Sequence, residues 1–436
     1  MKLASICYAL ALLSLPVGPA CKMLLGHDDM LWVDPTLVFS VLAFVLLLPG
    51  LRESDVKSFG GASKAAIGLI FLCLICSLMG MFLRPPAGLY DVLREPERLV
   101  LTLVWFLTTS CFIRLRPLLV TNCTAIAVVF GLASGLYIYL AALGAVPATE
   151  AAISYSRRYL IQQAVWYDGL LVPRMGGLFT EAPPFGLFML SMGVFFWVAR
   201  RSGARSRLIL IGSIVSVVGV VASFAGQVLL GAGICVVTMV LSSKMQKTWL
   251  KPVMICVIAC ILLAAGWQSL VEKGISQATT ATTSKIYQDS VGERNFHLSY
   301  GISLLAREPL AALLGIGPGR YGEYAADTGY FPDTATMQFT LPELLVEWGV
   351  VGLGVWCVIL TTLAFRVVRV HNYAGLFVLF GLLVADSFQA NWKSEAVFLA
   401  IAALCTPLKE SISSAADAGQ NEVSTTIGPR LASSNA

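Results

Sequence analysis

Leu314-Gly-Ile-Gly-Pro-Gly-Arg-Tyr-Gly322 lies inside a polar stretch, 268–338, of an otherwise apolar chain. An apolar segment begins directly after this stretch with Leu341-Pro-Glu-Leu-Leu-Val-Glu-Trp-Gly349. Loops of roughly seventy residues are uncommon unless they are functional or disordered. Apolar residues recur at helical spacing within 268–338, which argues against disorder. We therefore expect the chemistry of this protein to take place there.

The composition is that of a membrane protein. Of the 436 residues, 57% are hydrophobic and 13% are charged, whereas about 25% are charged in soluble domains. A spanning helix needs about 20 mostly apolar residues, and on this measure the sequence predicts an all-α polytopic protein with about twelve transmembrane helices. The predicted spans are 3–20, 31–49, 65–83, 99–113, 118–142, 183–199, 208–223, 227–241, 252–267, 341–365, 374–388 and 395–405.

The distribution of Lys and Arg predicts the orientation of these helices. With the N-terminus in the cytoplasm, the short loops on that side are rich in basic residues, as the positive-inside rule requires. The loops 143–182 and 268–338 then lie outside. We expect a membrane bundle of about nine helices (1–267), the large outer loop (268–340), the last membrane helices (341–406) and a disordered cytoplasmic tail (407–436). The basic residues assigned to the cytoplasm are Arg52, Lys57, Lys64, Arg114, Arg116, Arg200, Arg201, Arg205, Arg207, Lys244, Lys247, Lys251, Arg366 and Arg369.

Two segments outside the membrane have structure that the sequence predicts. In 143–182, Ile153, Leu160 and Ala164 share one helix face, and aromatic residues suited to the membrane interface follow. In 268–338 we expect a helix from about 291 to 306 that is stopped by Pro309. Its bundle face is predicted to hold Val291, Leu298, Ile302 and Leu305, with Arg294 and His297 on another face.

The glycine run Gly315-x-Gly-Pro-Gly319 allows two interpretations. It is either a tight turn that returns the chain to the membrane or a nest of backbone N–H groups for phosphate oxygens. It lacks the Lys-Ser/Thr pair of a nucleotide P-loop. Cysteines lie mostly in apolar runs, where Cys behaves as a small hydrophobe, and the histidines are scattered. We therefore expect no metal and no cofactor, and the net charge of +5 reflects topology and not nucleic-acid binding.

Charged residues are predicted to gather at the outer face. Arginine presents a fixed fork of donors that fits phosphate. A charge held in hydrocarbon costs about 2.5–3.5 kcal/mol, so such residues normally face a cavity and carry function. Each arginine could instead pair with an adjacent acid, and we favour that for Arg307 but a functional role for Arg174 and Arg294. Glu343 and Glu347 share one helix face, and Glu343 either caps its helix or takes part in chemistry.

These residues resemble the O-antigen ligase and polymerase superfamily, the Wzy-type enzymes. The similarity lies in two regions, 174–186 and 292–352, and in the large loop between late helices. The resemblance implies a GT-C-like enzyme of the bacterial inner membrane, with both termini cytoplasmic and the large loop between helices 9 and 10 periplasmic. It implies an undecaprenyl-pyrophosphate-linked oligosaccharide as substrate, with no nucleotide sugar and no required metal. The chain is most similar to an exopolysaccharide repeat-unit polymerase, which would work with a flippase and with chain-length and export proteins.

The resemblance also implies the site. It assigns the two functional arginines to Arg174 and Arg294, to which we add Glu343 as a third candidate catalytic residue. Gln338 stands where family members often have His-Asn, nine residues before Glu347, and Gln cannot act as a base. Another residue must therefore do so, or the reaction needs none. The predicted substrate-binding residues are Arg320, Glu181, Gln338 and His297.

Three other functions were weighed. A ligase would move glycan to a lipid or protein acceptor. A flippase for the same lipid-linked sugars should carry charged residues along the middle of its helices, and here Asp386 comes nearest to that position. A scaffold for a polysaccharide machine would leave Arg174 and Arg294 without a role.

Overall fold

The computed structural model describes residues 1–24, 34–50, 73–78, 80–81, 83, 89–142, 146, 165–167, 170–172, 175–179, 182–203, 206–223, 225–242, 285–307, 309–328, 340–387 and 394–406. This part of the chain is almost entirely helical. One exception is a small antiparallel hairpin of β1 (Val165–Tyr167) and β2 (Leu170–Val172). Four helices among these residues are long and apolar enough to cross a membrane: Leu93–Leu115, Pro117–Ala141, Ala182–Arg201 and Thr340–His371. The predicted class, a helical membrane protein, is thereby confirmed.

Most of the described helices overlap a predicted apolar window, although their ends differ: α4 begins ten residues before the window 99–113. Of the window 65–83, residues 73–78 are helical, while 252–267 lies outside the described residues. The helices before the large loop are α1 (Lys2–Ser14), α2 (Gly18–Leu24), α3 (Pro35–Leu47), α4 (Leu89–Leu115), α5 (Pro117–Ala142), α6 (Ala182–Arg201), α7 (Arg207–Ser223) and α8 (Gly226–Ser242). The later helices are α9 (Lys285–Arg307), α10 (Pro309–Leu314), α11 (Tyr321–Ala326), α12 (Thr340–Ser387) and α13 (Glu395–Cys405).

The predicted first span, 3–20, is wrong as a single helix. It divides into α1, which ends at Ser14, and α2, which begins at Gly18. Pro16 lies between them, and its missing N–H and its ring disfavour a continuous helix at that point. α3, by contrast, begins where local chemistry predicts: Asp34 accepts a hydrogen bond from the Thr36 N–H at 2.9 Å, and Pro35 occupies the first helical position.

The core surrounds α6, which is buried along most of its length. Small residues let its neighbours approach closely: a Cβ atom on Gly186 would lie 2.5 Å from the Ser223 hydroxyl at the end of α7. On the other side of the bundle, α1 packs on α4 with the rings of Tyr8 and Phe112 stacked 4.3 Å apart. Small residues at such crossings are typical of helix packing in membranes.

α12 contains two sharp changes of direction, although it is helical from Thr340 to Ser387. The sequence predicts two helices here, 341–365 and 374–388. The residues between them are helical, but the chain turns there: a Cβ atom on Gly375 would lie 2.7 Å from Cγ1 of Val367. Eight residues of straight helix rise about 12 Å, so this contact requires the axis to turn sharply between the two residues.

The second change of direction is at Gly349, whose φ is +66°. Helical residues have φ near −63°, so the hydrogen-bond ladder is interrupted. The carbonyl oxygens of Val346 and Glu347 accept instead from the N–H groups of Ile316 at 3.0 Å and Gly317 at 3.1 Å. The glycine turn of the large loop therefore completes the broken helix.

The predicted loop helix is confirmed, and its packed face is confirmed in part. α9 ends at Arg307, and Pro309 begins α10. Leu305, predicted to face the bundle, is partly buried against the core that contains Leu304. Ile302, from the same predicted face, is 51% exposed, whereas His297 is buried. The inner face of the helix therefore combines apolar residues with one histidine.

Basic residues occupy the opposite end of the bundle from this loop. Arg366 Nε donates to the carbonyl oxygen of Cys405 at 3.1 Å, at the end of α13. The guanidinium of Arg201 lies 5.3 Å from the Trp197 ring centre, and that ring lies 6.1 Å from His371. The C-terminal ends of α6 and α13 therefore meet at the bend of α12.

Candidate functional site

Glu347 is the anchor of a buried polar site at the break in α12. Its side chain is 5% exposed. One carboxylate oxygen accepts from the backbone N–H of Gly319 at 2.8 Å and the other from that of Tyr321 at 3.3 Å. Glu347 therefore holds the loop in place through both of its carboxylate oxygens.

Arg320 is buried beside this carboxylate, with 1% of its surface exposed. Nε and Nη2 donate to the two carboxylate oxygens of Glu323 at 3.1 and 2.8 Å, and Nη1 donates to the carbonyl oxygen of Gly80 at 2.7 Å. A bidentate Arg–carboxylate pair is among the stronger hydrogen-bonded contacts in proteins. All three guanidinium nitrogens thus bind protein oxygens, so Arg320 would have to exchange partners to bind substrate.

His297 forms a buried pair with Tyr321, the residue after Arg320. The Tyr321 hydroxyl lies 2.8 Å from His297 Nδ1 and 3.2 Å from the His297 carbonyl oxygen. A hydroxyl has one proton. The hydroxyl can therefore donate to only one of these two groups, and the two contacts together fix the imidazole against the tyrosine. Burial, together with Tyr300 and Glu347 nearby, raises the pKa of Tyr321 above its ordinary value, so the hydroxyl stays neutral.

Two charged residues from α4 complete the site, and sequence reasoning missed both. Arg94 Nη2 donates to the carbonyl oxygen of Gly319 at 3.3 Å. Glu95 is 4% exposed, and a Cβ atom on Gly319 would lie 2.8 Å from its Cγ. The predicted span began at Leu99, so these residues were assigned to a loop. The signal for them was the charged run 94–98 at the entrance of a membrane helix.

The structure brings together three of the predicted site residues. His297 and Arg320 lie in the site, and Glu343, 8% exposed, lies one turn before Glu347 on α12. We call the set the polar cluster. Its members are Arg94, Glu95, His297, Arg320, Tyr321, Glu323, Glu343 and Glu347.

The remaining predicted site residues are Arg294, Arg174, Glu181 and Gln338. Arg294 lies in α9, three residues before His297. Arg174, Glu181 and Gln338 lie outside the described residues, so their predicted roles stay predictions. The residue after Arg174 is described: the N–H of Met175 donates to the carbonyl oxygen of Ala222 at 3.1 Å. That bond holds the chain at the end of α7.

The polar cluster can support acid–base chemistry and anion binding. Carboxylates and imidazole are proton acceptors, and guanidinium groups bind oxyanions. Buried charges in a membrane protein are costly and usually mark function. Within the described residues no group of three or more His, Cys, Asp or Glu side chains is arranged to hold a metal ion.

No family model matches the chain, and a search of curated proteins found no match. The fold and the site define a helical membrane protein with a buried polar cluster where a loop completes a broken helix.

Proposed function

We propose that the protein is a membrane glycosyltransferase that polymerises undecaprenyl-pyrophosphate-linked oligosaccharide repeat units into an exopolysaccharide. The observation that carries the proposal is the polar cluster itself. Three carboxylates that are at least 92% buried (Glu95, Glu343 and Glu347) lie with Arg320 and His297 at the junction of the loop and α12. Non-helical backbone at a membrane helix is tolerated where it is buried in protein or lines a cavity, and broken helices commonly carry substrate sites.

The chemistry of the proposed reaction matches these groups. Pyrophosphate on a polyprenol is a leaving group on which negative charge grows as the anomeric bond breaks, and arginine donors stabilise such charge. Arg174 and Arg294 are the proposed clamp. The attacking sugar hydroxyl must be positioned, and a base would add a factor of about 10²–10⁴ in rate. His297, one turn from Arg294 on α9, is the nearest described imidazole to that clamp residue.

The proposed membrane arrangement follows the charge distribution. It has about twelve spans in a GT-C-like plan, with both termini in the cytoplasm of a bacterium and the loop 268–340 in the periplasm. Arg201 and Arg366 lie near the ends of α6 and α13, away from the polar cluster. That separation supports the orientation given by the positive-inside rule.

The test is the fate of lipid-linked glycan when the gene is deleted. A strain without the polymerase should accumulate single repeat units on undecaprenyl pyrophosphate and make no long polymer. Expression of the unchanged protein in that strain should restore the long polymer. Long glycan still on the carrier would overturn the proposal in favour of a ligase. Loss of external lipid-linked units with internal units retained would overturn it in favour of a flippase.

A further inference from the structure

α9 and α10 carry an exposed apolar surface that the proposed function does not use. We call it the outer apolar face, and its members are Ile302, Leu310, Leu313, Leu341 and Val350. Their exposed fractions are 51%, 41%, 51%, 54% and 58%, respectively. Ile302 lies on α9, Leu310 and Leu313 on α10, and the other two near the start of α12.

The same part of the chain buries its polar residues. His297 is 2% exposed, Arg320 1% and Glu347 5%. Soluble proteins place such residues outside and bury large apolar ones. The loop also has a small apolar core, formed by Leu304, Ala311, Ile316, Tyr321, Ala325 and Val346. Large apolar side chains that stay exposed beside a filled core mark a surface that meets a membrane or another protein.

α10 packs against α12 about two turns after the start of α12. A Cβ atom on Gly349 would collide with the carbonyl oxygen of Leu313, and one on Gly315 would collide with that of Glu347. Leu341 is already an exposed apolar residue, and Gly349 lies eight residues further along, a rise of about 12 Å. The hydrocarbon core is about 30 Å thick, so this level lies inside one leaflet.

We infer that α10 and the adjoining turn of α9 at Ile302 are embedded in the outer half of the bilayer, with the outer apolar face in contact with lipid acyl chains. Lipid is the occupant because this face adjoins a membrane helix: the backbone of Leu313 lies against Gly349, and Val350 and Val358 are exposed residues of a helix that is itself long and apolar enough to span. The polar cluster, which surrounds Glu347, then lies within the outer leaflet and not above the membrane. A headgroup linked to a membrane lipid can reach the cluster at that level.

The experiment compares single cysteines at two kinds of position. Leu313→Cys and Ile302→Cys report on the outer apolar face. Asp327→Cys is the matched control, because Asp327 is an exposed charged residue after α11 of the same loop. Each full-length variant is reconstituted in phosphatidylcholine vesicles and treated with a charged, membrane-impermeant maleimide introduced on both sides by freeze–thaw. The unchanged protein sets the background from native cysteines, and each variant must be folded at the normal level.

We expect Asp327→Cys to label in vesicles. Leu313→Cys and Ile302→Cys should fall to background in vesicles and label only after the protein is denatured in sodium dodecyl sulfate. Labelling of Leu313→Cys in vesicles as fast as Asp327→Cys would overturn the inference, since the face would then meet water. Oxidative cross-linking of Leu313→Cys between two chains in vesicles, above the background of the unchanged protein, would also overturn it, because a second copy of this chain would then cover the face. The test does not depend on the proposed enzyme activity.

Discussion

Glu347 accepts a hydrogen bond at 2.8 Å from the backbone N–H of Gly319, a residue 28 positions earlier in the chain. This bond joins the large loop to the break in α12. A second bond, from the N–H of Tyr321, uses the other carboxylate oxygen. The loop is therefore part of the membrane bundle, and the stability of the two should be coupled.

Glu347→Ala should destabilise the protein more than Glu347→Gln. Alanine leaves two buried N–H groups without an acceptor, at about 1–3 kcal/mol each, while glutamine keeps one carbonyl oxygen. The measurement is the unfolding temperature in detergent, with Asp327→Asn as an exposed control. Equal unfolding temperatures for Glu347→Ala and the unchanged protein would contradict this geometry.

Gly349→Ala and Gly354→Ala should have opposite effects, although both lie in α12. Gly349 has φ +66°, and a side chain there would strike Leu313, whereas a Cβ atom on Gly354 meets nothing within 4 Å. A left-handed conformation costs a non-glycine residue about 1–2 kcal/mol, and removing glycine from a regular helix gains about 0.5–1 kcal/mol. Folded protein recovered after extraction should fall for Gly349→Ala and hold or rise for Gly354→Ala. Similar yields would show that α12 is not broken.

Tyr321→Phe should make the protein less sensitive to alkaline pH. The pKa of Tyr321 is raised by burial, so deprotonation is easier in the unfolded chain, where tyrosine has a pKa of about 10. The stability that neutral Tyr321 contributes is complete below that value and is lost as pH rises above it. Unfolding temperatures between about pH 8 and 11 should fall less steeply for Tyr321→Phe. The exposed Tyr373→Phe is the control, and it should follow the unchanged protein.

Arg174→Ala and Arg294→Ala should each abolish polymer while the protein still inserts at its normal level. Lysine keeps the charge but lacks the bidentate fork, so Arg294→Lys should retain a small fraction of activity. Arg307→Ala is the control at an exposed position and should be mild, since exposed ion pairs are worth about 0–1 kcal/mol. Polymer yield is measured against membrane protein level. Full polymer from Arg294→Ala would remove the clamp.

Topology reporters should divide the chain as the positive-inside rule requires. Fusions directly after Trp267 and within 277–285 should report an external location, and fusions at 242–247 a cytoplasmic one. Paired alkaline phosphatase and fluorescent-protein reporters give opposite signals on the two sides. A cytoplasmic signal from 277–285 would be incompatible with a periplasmic loop.

Most helices could be predicted from the sequence because their cause is local. An apolar window of sufficient length selects a helix in lipid, since backbone groups there must bond within the segment. Pro309 ended the predicted loop helix, and the glycines at 315, 317 and 319 marked a turn that the structure contains with positive φ at all three. Each of these residues determines the backbone conformation only of positions a few residues away in the sequence.

The site depended on tertiary structure. Periodicity placed Ile302 against the bundle, but His297 and Leu304 occupy the inner face of α9 and Ile302 is exposed. Sequence reasoning ranked Glu343 above Glu347 and ignored Arg94 and Glu95, because their partners come from distant segments. The break at Gly349 has the same origin: its freed carbonyls are satisfied by amides more than 25 residues away. A pattern that repeats every three or four residues carries no information about which buried donor will meet which acceptor.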